Sequence, residues 1–151
     1  LIYLLKHLGY AFISTIGFAF IFNTPKAALL RSGLAGAFGW AVYIVVNQVS
    51  GSVVLSTFMG SLCIGLVGEV FAILNKNPIT VYIIPGIVPL VPGFGLYNTM
   101  LSLLENDYDG ALLHGSQSVM IAIAIAGALT IALSVNSYRK RVFRRRSRLK
   151  I

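Results

Sequence analysis

Residues 83–95 read "IIPGIVPLVPGFG", three prolines and three glycines inside a segment otherwise apolar enough for lipid. A buried helix cannot easily replace the hydrogen bonds that these residues remove. Lys76 and Glu105 flank the segment about 29 residues apart, roughly 43 Å of helix at 1.5 Å per residue, the depth of a whole bilayer with its headgroups. The midpoint falls near Leu90 and Val91. The segment therefore reads as one crossing that is broken near the membrane midplane.

The rest of the chain supports a membrane reading. Its 151 residues are 57% hydrophobic and 11% charged, with a mean hydropathy of +0.85. A soluble domain of this size needs more polar surface. Besides the broken segment (79–104), apolar runs cover about 1–22, 32–49, 53–74 and 111–136, each near the 20 or so residues that a crossing needs. The expected fold is all-α, with five transmembrane helices over 1–137 and a basic tail at 138–151. Lys6 followed by an apolar run resembles a signal peptide, but "FIFNTP" offers no small-x-small cleavage site, so residues 1–22 read as a span.

The net charge of +8 is not spread over a nucleic-acid surface. Arg139, Lys140, Arg141, Arg144, Arg145, Arg146, Arg148 and Lys150 crowd the last thirteen positions, and the remaining charges cancel. Such a cluster after an apolar span is a topology anchor and an anionic-lipid contact. With five crossings, Lys26, Arg31 and Lys76 fall on the same side as the tail. The connectors "SGS" and "ENDYDG" on the other side carry no Lys or Arg. The positive-inside rule then places the N-terminus outside and the C-terminus inside.

Smaller features complete the picture. Thr24-Pro25 reads as an N-cap and first helical residue, opening a short interfacial helix over 23–31. Tyr82 and Tyr138 are expected at the inner boundary and Tyr108 at the outer one. Ser118, Ala122, Ala126, Thr130 and Ser134 make a four-residue row of small side chains, which suits packing within the chain or against a second protein. The Ser32/Gly36 and Ala35/Gly39 pairs, and Ser61 with Gly65, suit close helix contacts in the same way. Cys63 stands alone and forms no intrachain disulfide.

The broken crossing is the candidate site. A proline removes its own N–H and frees the carbonyl four residues earlier, so Pro89 is expected to free that of Pro85 and Pro92 that of Val88. Exposed backbone at this depth lines a cavity or is buried in protein. The second half-helix is expected to start near Pro92 and to aim the N–H groups of Gly93, Phe94 and Gly95 at an anionic substrate group. Tyr97, Asn98 and Thr99 follow and add polar contacts. Glu69 and His114 are the candidate proton or cation relays, the former about 10 Å inside the inner boundary. No His/Glu metal spacing, catalytic pair or phosphate loop is present, so neither enzyme chemistry nor a metal or other cofactor is expected.

The stretches "GFAFIFNTPKAALLRSGLAGAFGW", "STFMGSL" and "IIPGIVPLVPGFGLYNTM" resemble the threonine/serine exporter family, specifically its short membrane subunit. Pro89, Pro92 and Gly93 followed by Tyr97 carry the most specific part of the likeness. The resemblance implies a secondary efflux carrier for threonine and serine, or a dicarboxylate such as succinate, in a bacterial inner membrane. It also implies a longer partner subunit, and the small-residue rows allow a homo-oligomer. The competing expectation is a non-transporting scaffold for a partner protein.

Overall fold

The computed structural model describes residues 2–148, with the side chains of residues 4–134. Six α-helices follow in order: α1 (Ile2–Ile21), α2 (Lys26–Ser50), α3 (Val53–Asn75), α4 (Thr80–Ile87), α5 (Gly93–Leu104) and α6 (Tyr108–Arg148). A 3-10 turn, Val88–Leu90, sits between α4 and α5, and no strand occurs among the described residues. Four helices (α1, α2, α3 and α6) are long and apolar enough to cross a membrane. The bent pair around the 3-10 turn makes a fifth crossing if it acts as one span. The protein is a multi-pass helical membrane protein.

Four tight turns link the helices away from the break, and each contains one residue in the left-handed region: Asn23 (φ 54°), Gly51 (φ 64°), Lys76 (φ 55°) and Asn106 (φ 60°). A left-handed residue closes a helix end by turning its own N–H or the next back onto the last carbonyls. Gly51 does so onto the carbonyl of Asn47 at 3.0 Å. Ser52 then caps α3, its hydroxyl accepting from the N–H of Leu55.

The core lies where α2 crosses α3. Small residues make that crossing close: a Cβ on Gly60 would lie 2.9 Å from the carbonyl oxygen of Gly39 and 3.3 Å from Tyr43. Ile64, fully buried, fills the crossing together with Leu90, Ile121 and Ile125. α1 and α4 pack on α2, α6 packs on α3, and α5 packs on α6 alone. The Ser32, Ala35, Gly36 and Gly39 face of α2 and the Ser61 and Gly65 face of α3 are buried, as expected of close-contact positions.

Several expectations are corrected. No separate interfacial helix exists over 23–31, because α2 runs unbroken from Lys26. "KAALLR" is made of strong helix formers, and nothing stops them from continuing into the span. Pro25 rather than Thr24 is the N-cap, with an extended backbone (φ −52°, ψ 135°) and no side-chain cap bond. Tyr82 packs inside the protein and does not face lipid as a belt residue would. It is the largest fully buried side chain, and its hydroxyl accepts from Asn75 at 2.6 Å and Asn77 at 3.3 Å. Asn75 in turn accepts from Arg31, tying α2, the α3–α4 turn and α4 together. Tyr108 is exposed; the side chains of Tyr138 and the basic tail lie outside the described residues, although the α6 backbone stays helical to Arg148.

The small-residue row of α6 is not the inward face. Ser118 is buried, whereas Ala122, Ala126, Thr130 and Ser134 are exposed. Ala124, Ala128 and Ala132 turn inward instead. A four-residue step overshoots one helical turn by about 40°, so a strict row winds off the contact face after one or two steps.

Candidate functional site

The break forms where expected, but one proline causes it. Pro85 lies inside α4 and Pro89 inside the 3-10 turn, both in helical surroundings. Val91, which precedes Pro92, is extended (φ −64°, ψ 133°), as the proline ring forces on its predecessor. The two half-helices diverge there by 48°.

The backbone groups near the break differ from expectation. The carbonyl of Pro85 is not free, since the N–H of Val88 reaches it. That of Val88 accepts from Val91 at 3.2 Å. Both are recovered because the chain tightens from an i→i+4 to an i→i+3 pattern. The carbonyl orphaned by Pro85 itself, that of Val81, lies 3.1 Å from the Ser32 hydroxyl of α2, whose one proton it shares with the Ala28 carbonyl at 3.0 Å. A bare carbonyl in hydrocarbon costs on the order of several kcal/mol, which is why a neighbouring helix supplies the donor. Gly93 is corrected too, as its N–H turns back onto Val91 at 2.8 Å. Phe94 and Gly95 are left as first-turn donors, and no carbonyl among the described residues takes their N–H groups.

These two residues line a cavity of about 390 Å³. Trp40 and Tyr43 of α2 and Thr57 of α3 form one wall, Pro89–Pro92 the floor, and Phe94, Gly95 and Asn98 of α5 with His114, Gln117 and Ser118 of α6 the other. α5 lies directly on α6 at Gly95, where a Cβ would press on the Ser118 hydroxyl alone. The Trp40 and Tyr43 rings stack 4.9 Å apart at 17°, presenting an aromatic wall. The Thr57 and Ser118 hydroxyls donate to their own helix turns at 2.8 Å each, so toward the cavity they retain acceptor capacity.

Of the expected site residues, Pro89, Pro92, Phe94, Gly95, Asn98 and His114 line this cavity. Tyr97 points away and is 64% exposed. Thr99 bonds to the Gly95 carbonyl at 2.7 Å and lies against Gly115 of α6. Gly93 lies beside the cavity without lining it. Glu69 is buried, 5% exposed, but stands twelve residues beyond Thr57 on α3, about 18 Å away along the axis. Trp40, Tyr43 and Thr57 were not singled out from the sequence. A mid-span Trp three residues before a Tyr, the chain's only tryptophan, was the available signal. Among the described residues no group of His, Cys, Asp or Glu could hold a metal ion.

No solved structure matches this chain. The family model described as Threonine/Serine exporter, ThrE, matches residues 7–135, which takes in the break and every residue of the cavity wall. With the match covering most of the chain, this protein belongs to the threonine/serine exporter family.

Proposed function

We propose that the chain is the membrane component of a secondary efflux carrier that moves small carboxylate metabolites, threonine and serine or a dicarboxylate such as succinate, out of the cell. The observation that carries this reading is the cavity at the broken span, lined by Phe94 and Gly95, whose first-turn N–H groups find no backbone acceptor among the described residues, and by Asn98. A half-helix N-terminus carries about half a positive charge and suits a carboxylate. The acceptor hydroxyls and the Trp40 ring face suit an ammonium. The cell is a bacterium, the membrane its inner one, and the basic end faces the cytoplasm, in keeping with the concentration of Lys and Arg at one end of the helices.

The carrier works with a longer partner subunit or a second copy. A second reading, a scaffold that carries no substrate itself, draws on the exposed Ala122, Ala126 and Thr130 face of α6, a surface suited to another helix. Comparing the medium of cells with and without the gene tests the function. Loss of the gene lowers external threonine, serine or succinate several-fold and raises the internal pool. Unchanged pools of all three remove the reading. Carboxylate flux through liposomes that hold this chain alone excludes the scaffold.

A further inference from the structure

The cavity wall carries no aspartate, glutamate, lysine or arginine. Among its side-chain types only histidine exchanges a proton between about pH 5 and 8, and the wall has one, His114. The first turn of α5 lies directly on this part of α6: a Cβ on Gly95 would stand 3.8 Å from the His114 carbonyl oxygen. His114, Phe94 and Gly95 line the same cavity. Glu69, the other relay candidate, is outside it.

The surroundings leave His114 alone in this role. From α2 the wall presents Tyr43 as its one other titratable group, and α3, the 3-10 turn and α5 present none. Glu105, Asp107 and Asp109 sit in the exposed turn and first residues before His114. Asp107 accepts from the N–H of Gly110 at 3.0 Å, which fixes it away from the cavity as a helix cap.

Resting on the reading of the cavity as a carboxylate site, we infer that His114 contacts the substrate and sets its affinity. The imidazolium holds the carboxylate against the first turn of α5, and loss of its proton lets the carboxylate go. Binding favours the protonated ring, so a fraction of a proton is taken up from solution as the carboxylate binds and is returned as it leaves.

The test uses the full chain in lipid nanodiscs, with the fluorescence of Trp40, which lines the cavity, as the readout. The probe is L-threonine, whose net charge does not change over the range used. The expected Kd is about tenfold lower at pH 5.5 than at pH 8, the effect of one charge contact. His114→Gln removes this difference. His114→Lys binds tightly at both pH values, and His7→Gln behaves as the unmodified chain. A threonine response that ignores pH, or a pH dependence that survives His114→Gln, overturns the role of His114 and leaves the cavity assignment standing. No response to L-threonine or to succinate at either pH overturns the cavity assignment and the inference together.

Discussion

The two halves of the broken span have opposite surroundings. In α4, Tyr82, Ile83, Pro85 and Gly86 are buried against α1, α2 and α3. In α5 no residue is buried, and among the described residues α6 is its only helical neighbour. α5 carries more polar residues than α4, but its Phe94, Leu96, Met100 and Leu104 are exposed as well, so composition does not explain the difference. Position does: the 48° bend swings α5 off the bundle and opens the cavity between it and α2 and α3. One half anchors the span, and the other is a thin wall around a site. A segment with few buried contacts is also the part of a structure that moves most cheaply, which suits a wall that must let a substrate pass.

The comparison can be broken or sharpened by substitution, and the anchored side should give the largest stability losses. Gly60→Leu drives a side chain into the Gly39 carbonyl, Leu90 and Tyr43. Overpacking of this kind costs about 3 kcal/mol, and the expected outcome is loss of folded protein by thermal melting in detergent. On the other side of the break, Pro92→Ala frees Val91 from its extended conformation and lets the half-helices align. Export should fall about tenfold or more with normal membrane expression, since small misplacements in a site cost that much. Pro89→Ala, inside a turn that is already helical, should cost less. Equal losses for the two would show that the bend does not originate at Val91–Pro92.

Smaller effects follow. Tyr82→Phe strips the acceptor from Asn75 and Asn77 and should lower stability by about 1.5 kcal/mol, leaving threonine affinity unchanged. Ser32→Ala orphans the Val81 carbonyl and should cost about 1 kcal/mol. In a Pro85→Ala background the backbone regains an N–H that reaches this carbonyl, so Ser32→Ala should be nearly silent there. A double-mutant cycle by thermal melting measures the coupling. Tyr97→Ala, on the exposed face of α5, should change stability by less than about 0.5 kcal/mol. It should also leave threonine affinity intact, whereas Asn98→Ala weakens it.

The helices and the break were legible because both arise from local chemistry. Apolar runs of spanning length and a residue before proline behave alike in any context. The site was legible only in part. Phe94, Gly95 and Asn98 could be placed from helix spacing after the break, but Tyr97 was drawn in with them although it faces outward. Its direction depends on how α5 is rotated about its axis, which is set by Gly95 seating on Ser118. The row on α6 left a similar question open, since sequence spacing defines a stripe without saying which neighbour it meets.

By itself, then, the sequence determined a membrane chain of apolar helices, its asymmetric charge and the place where one span breaks. Hydrophobicity, charge and the missing proline N–H act within a few residues. Only the tertiary structure decided that Trp40, Tyr43 and Thr57 face the break, that His114 rather than Glu69 shares its cavity, and that Ser32 covers the carbonyl left bare by Pro85. Those juxtapositions join residues far apart in the chain, and they depend on helix rotation and on the close α2–α3 approach at Gly39 and Gly60.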